Sequence, residues 1–258
     1  MLDLESYILL SAAAFAAGGL NALAGGGTFV TLPALIFAGL PPVVANATSA
    51  AVVLPGYGSA AFGFWALLRA IKPAQWFTLI TTTVIGAIAG AQLLVGTSDA
   101  TFSFLAPLLV LLATALFGLG PRLTSFLSTR GGQRPWLGVT GIGITSAYGG
   151  YFNGGLGIAL LAVLQLYQSG DNDHSLAELN GLKSAISFVL TSMSVVVFTF
   201  AGLIQWQTAV LMMLFSVAGG YAGARFSLRL SNDHLRRFVI LLGLVMSLVL
   251  FYRFLVLD

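Results

Sequence analysis

The chain has no cysteine, so disulfides, thiolate metal sites and cysteine nucleophiles are excluded at once. It is nearly as poor in charge. Asp, Glu, Lys and Arg make up only 7% of its residues, against about 25% in an ordinary soluble domain. No Asp or Glu falls deep inside an apolar segment, which weakens any proton coupling through a buried carboxylate. The two histidines, His174 and His234, lie in polar loops and suggest no proton relay. No metal-ligand or nucleophile constellation is present, so neither an enzyme nor a cofactor is expected. The apolar stretches are continuous rather than alternating, which argues against a transmembrane β-barrel. The N-terminus, MLDLES, lacks the basic start of a secretory signal, so the first apolar segment is read as part of the mature protein.

What fills the chain is apolar sequence. Ser6–Leu68, Pro73–Ser98, Pro135–Gly170 and Ser184–Ala224 contain no charge at all. A membrane span needs about 20 apolar residues, so the composition predicts an all-α, polytopic membrane protein in the cell membrane. The net charge of +3 comes from basic residues in short loops. That pattern reports membrane orientation rather than nucleic-acid binding.

Two glycine clusters interrupt this apolar background, GGLNALAGGGT at 18–28 and GGYFNGGLG at 149–157. Glycine costs about 1 kcal/mol relative to alanine inside a helix, so both read as built-in breaks. They belong to a duplication. Residues 86–91, GAIAGA, match residues 219–224, GGYAGA, and at the same offset Ile71 meets Ile204 and Gln92 meets Arg225. A Pro/Gly/Arg-bearing loop, Gly120–Arg134, is expected to divide the chain into repeats 1–125 and 126–258. The first repeat has a broken segment over 6–40 and spans near 43–68, 73–96 and 101–119. The second has a broken segment over 135–169 and spans near 175–203, 206–228 and 236–256.

Each broken segment is expected to turn back as a re-entrant hairpin, because a straight 35-residue helix would be about 52 Å long against a core of about 30 Å. Charge sorting agrees. If both segments return to their starting side, ten of the eleven basic residues share one face and only Arg253 is opposite. Each repeat then crosses an odd number of times, so the two have inverted topology with both termini outside.

Broken helices of this kind put helix N-termini at the membrane midplane, where their N–H groups bind anions. Gly25, Gly26, Gly27 and Thr28 lead into one apolar helix, and Asn153, Gly154 and Gly155 into another. The competing reading is that these glycines only allow tight packing. Asn46 and Ser49 share a helical face, and Asn180 and Lys183 repeat their spacing in the second half. Together they predict one pseudo-symmetric site with two amides, one hydroxyl and one ammonium. Ser175 and Glu178 form a capping box for this helix, which sets Lys183 about two turns inside it. The alternative for Lys183 is a snorkelling interfacial side chain. Asn21, Thr48, Gln92 and Arg225 are accessory candidates, although Arg225 reads better as a helix-end arginine and Thr48 can bond its own backbone. The pairs Gly86/Gly90 and Gly219/Gly223 read as helix-packing GxxxG motifs.

AGGGTFVTLPALIFAGLPPVVANATS at 24–49, NGGLG at 153–157 and AELNGLKSAISF at 177–188 resemble the sulfite exporter TauE/SafE family of permeases. The resemblance covers nearly the whole chain. It implies secondary transport, often export, of a sulfur-containing anion such as sulfite, an organosulfonate or sulfoacetate. An anion channel and a permease for other organic anions such as carboxylates are the rivals within transport. The expected partners are the small anion, the lipid bilayer and, without being required, further copies of the chain.

Overall fold

The computed structural model describes residues 4–24, 26–130, 135–167, 176–227 and 232–257, and no strand occurs among them. The first broken segment is α1 (Leu4–Ala24) and α2 (Thr28–Phe37), followed by α3 (Pro42–Gly63) and the single turn α4 (Trp65–Leu68). Then come α5 (Pro73–Val95) and α6 (Asp99–Arg130). The second broken segment is α7 (Pro135–Phe152) and α8 (Leu156–Tyr167), followed by α9 (Leu176–Phe200), α10 (Trp206–Ser227) and α11 (Asn232–Leu257). Pro42 and Pro73 open α3 and α5, where a missing N–H costs nothing. Gly39, at φ +90°, ends α2 with a left-handed residue that returns Leu40 N–H to the Leu35 carbonyl.

Two expectations are corrected here. The span expected over 43–68 is divided at Phe64 into α3 and α4. The expected loop from Gly120 is instead the continuation of α6 to Arg130. Pro121 removes one backbone hydrogen bond without ending the helix.

Among the described residues, four helical stretches are long and apolar enough to cross a membrane: Pro73–Val95, Asp99–Gly120, Ala177–Phe200 and Arg237–Leu255. Large apolar side chains face outward, with Phe62, Phe77, Phe200 and Leu248 at least 70% exposed. Asn46, Ser49, Asn153, Ser187 and Thr191 are buried instead. Apolar outside and polar inside is the arrangement a bilayer selects, and the chain is a multi-pass membrane protein.

Backbone contact decides which helices pair. A methyl group on Gly18 would collide with the Ser216 carbonyl, and one on Gly219 with that of Phe15, so α1 and α10 meet backbone to backbone. Gly90 against Ala147 and Gly150 against Ala87 do the same for α5 and α7. Close approach of this kind is what small residues permit between membrane helices, and it accounts for Gly86, Gly90 and Gly219. The surroundings of Gly223 lie outside the described residues. Helices α7 and α8 form an antiparallel hairpin, with Gly138 against Tyr167, Gly141 against Val163 and Gly149 against Leu156. Helices α3 and α9 cross antiparallel: Gly58 meets the Phe188 ring, and Gly181 meets Phe64 and Leu68. Helices α6 and α11 also run antiparallel, joined by the Ser247 hydroxyl donating to the Pro107 carbonyl at 2.9 Å.

Candidate functional site

The α3–α9 crossing is where the polar residues gather. Asn153, the last residue before the second pair of break glycines, is 4% exposed. Its Oδ1 accepts from the Tyr57 hydroxyl at 2.9 Å, and its Nδ2 donates to Thr191 Oγ1 at 2.8 Å. One amide therefore ties the break to both crossing helices. The Tyr148 hydroxyl donates to the Gly154 carbonyl at 2.7 Å, and Asn46 Nδ2 donates to the Tyr151 carbonyl at 2.8 Å. Asn46 thus reaches the break of the other half. Asn21 lies near the same crossing, its Nδ2 3.0 Å from where a Cβ on Gly56 would stand.

Gly155 adopts φ +70°, a conformation that an L side chain takes only with strain, and packs on Ala113. This turn starts α8, whose first intrahelical bonds run from Ile158 and Ala159 N–H to the Gly155 carbonyl. The N–H groups of Leu156 and Gly157 precede those bonds and have no acceptor within the helix. Lys183 comes up beside them, its Cδ 3.6 Å from the Cβ position of Gly157. Its ammonium donates to Asn180 Oδ1 at 3.1 Å. A lysine side chain, an amide and a helix N-terminus are therefore neighbours, and all but the amide oxygen are positive or hydrogen-bond donors.

The first break is built differently. The Gly27 carbonyl accepts from Val30 and Thr31 N–H, and the Thr31 hydroxyl shares a 2.5 Å hydrogen bond with that of Ser49. Thr28 is buried at the start of α2. A methyl group on Gly27 would sit 3.0 Å from the Ala17 carbonyl, and one on Gly26 would sit 3.4 Å from Val239. Gly25 lies outside the described residues. Protein atoms thus lie close to Gly26 and Gly27, as they do to Gly154 and Gly155 at the second break.

The single site expected from sequence is not formed. Gly58 meets Phe188 in the crossing; Ser49 lies nine residues before Gly58 on α3 and Lys183 five before Phe188 on the antiparallel α9, so the two stand on opposite sides of that contact. At 1.5 Å per residue they are about 20 Å apart along the helix pair. Asn46 goes with Ser49, and Asn180 with Lys183. Antiparallel crossing is the reason, since it sends equivalent positions to opposite ends. Among the accessory residues, Thr48 accepts from Gln205 N–H at 3.1 Å and so holds the turn before α10. Gln92 is exposed on the outer face of α5 and joins no site. The Arg225 side chain and Ser175 lie outside the described residues.

Sequence reasoning missed Thr31, Tyr57, Ser187 and Thr191. A signal for two of them existed: Asn180, Ser184, Ser187, Thr191 and Ser194 form a polar stripe at helical spacing along α9.

The model of the sulfite exporter TauE/SafE family matches residues 10–250. A probable membrane transporter protein of Haemophilus influenzae is 26% identical, over 97% of this chain and 96% of its own length. The probable membrane transporter protein ORF9 of a Sinorhizobium species is 25% identical, over 96% and 94%. The probable membrane transporter protein YfcA of Escherichia coli K12 is 25% identical, over 93% and 87%. No solved structure matches. These names support a membrane transporter, and the family match over most of the chain makes it a member of the sulfite exporter TauE/SafE family.

Proposed function

We propose that the protein is a secondary transporter that exports a small sulfur-containing anion, such as sulfite, an organosulfonate or sulfoacetate, by alternating access at the α3–α9 crossing. The observation that carries this reading is Lys183 beside the first turn of α8. The positive end of a helix dipole and an ammonium repel one another, and an anion between them satisfies both. Family membership supplies the sulfur chemistry. Export rests on the family description alone.

Alternating access follows from an inverted duplication, residues 1–125 against 126–258. Its support is the exchange of partners: α1 packs on α10 as α7 packs on α5, while α3 with α9 and α6 with α11 pair with their own counterparts. In this reading both termini are outside. Arg253 then meets the end of α2 on that face, where it donates to the Ile36 carbonyl at 2.9 Å.

A thermal-stabilisation screen of purified protein against sulfite, methanesulfonate, sulfate and carboxylates, followed by counterflow in proteoliposomes, tests the proposal. Saturable counterflow of a stabilising sulfur anion is the expected result. Stabilisation by carboxylates alone would make the protein a different permease. Flux without saturation or counterflow would make it a channel, and either result removes the present reading.

A further inference from the structure

Ser187 is 1% exposed, and its hydroxyl has no hydrogen-bond partner. Its neighbours on α9 behave otherwise. The Ser184 hydroxyl donates to the Asn180 carbonyl at 2.8 Å, and that of Ser194 to the Leu190 carbonyl at 3.1 Å. Helical serines have this carbonyl within reach, so Ser187 is turned elsewhere.

Its direction follows from the residues four before and four after it, which share its side of the helix. Lys183 touches α8 at Gly157, and Thr191 accepts from Asn153. Ser187 lies between them on α9 and therefore faces the chain between Asn153 and Gly157, where the second break turns into α8. Leu156 and Leu190 both lie against Gly149, which brings the start of α8 to this level of α9. An unused hydroxyl, a lysine and the helix-start N–H groups that have no intrahelical acceptor thus surround one turn of chain.

We infer that Ser187 is a specificity-determining residue whose hydroxyl donates a hydrogen bond to one oxygen of an anion held between Lys183 and the start of α8. The inference rests on the proposed anion transport. An oxyanion offers Ser187 an oxygen besides those at Lys183 and the start of α8, whereas a monatomic halide has one atom to share among all three, so the ligand class is an anion with two or more oxygens. A buried hydroxyl without a partner is unfavourable, and a ligand oxygen supplies the acceptor that Ser187 lacks.

The test uses full-length protein with methanesulfonate and chloride as probes. Ser187→Ala is expected to weaken methanesulfonate binding about ten- to a hundredfold, the loss of one hydrogen bond to a charged group. Chloride binding should stay as it was, so the preference between the two anions narrows. Without ligand the variant should melt no lower than wild type, because alanine removes a group that had no partner. The chain contains no cysteine, so Ser187→Cys supplies a second measurement, in which methanesulfonate should slow alkylation of the single thiol. A lower melting point with unchanged affinity, or a thiol that methanesulfonate does not protect, would overturn the assignment of Ser187 alone. Wild-type protein that binds no oxyanion would overturn the transport reading and this inference with it.

Discussion

The two glycine breaks start similar short helices, yet each handles charge in the opposite way. At the first, the cation stands at the far end: Arg253 donates to the Ile36 carbonyl and lies 5.6 Å from the Phe37 ring centroid. That is the negative end of α2, where a cation stabilises a helix by about 0.3–1 kcal/mol. At the second, Lys183 lies beside the positive end of α8, where a cation is unfavourable unless an anion joins it. The first break is closed by the Thr31–Ser49 hydrogen bond, and the second keeps an unpaired hydroxyl at Ser187. A cation placed well for its helix reads as structure, and one placed badly reads as binding.

Exchanging the charges is the strongest way to break this comparison. Lys183→Ala should weaken anion binding by about 2–4 kcal/mol, the range for removing one partner of a buried charged pair. Lys183→Arg should restore only part, since a planar fork replaces a compact ammonium poorly. Arg253→Ala should leave affinity alone and lower the unfolding midpoint, by about 1 kcal/mol of stability. Ligand titrations and melting curves on all three variants decide the matter. Equal losses of affinity at Lys183 and Arg253 would erase the distinction.

A smaller effect separates the two break asparagines. Asn153→Ala leaves the Tyr57 and Thr191 hydroxyls without their partner, at a cost of about 2–3 kcal/mol. Asn21→Ala should cost clearly less, because Asn21 is only half-buried and lies against a glycine. Chemical unfolding in detergent gives the order, and the reverse order would shift the structural hub to the first break.

The smallest contrast concerns the glycines. Gly155→Ala forces an L residue to φ +70° and should destabilise by about 1–2 kcal/mol. Gly26→Ala meets only the Phe29 ring and a Val239 methyl, which can yield, and should cost under about 0.5 kcal/mol. Similar melting points for both variants would mean that the second turn relaxes freely.

Much of this was legible in the sequence. The glycine clusters mark both breaks, prolines mark the starts of α3 and α5, and Gly86/Gly90 mark a helix contact, because each depends on local backbone chemistry. The spacing of Asn180 and Lys183 correctly put them on one face. Spacing does not say what a face meets, however. Antiparallel crossing of α3 and α9 is a long-range property, and it separated Ser49 from Lys183. Gln92 failed for a related reason: its match to Arg225 compares positions in sequence and carries no information about exposure. Ser187 escaped notice because one serine in an apolar helix ordinarily bonds its own backbone.

The glycine seams have a consequence for biosynthesis. Gly18 fits against Ser216, about 200 residues further along the chain. At roughly 5–20 residues per second, α1 waits on the order of ten to forty seconds for α10 to be made. Helices α5 and α7 are synthesised much closer together, so their seam can close while the second half is still emerging. Helix α1 is made long before the partner that seats it. Until then its glycine face has only lipid beside it, and the newborn chain depends on whatever holds α1 in the membrane meanwhile.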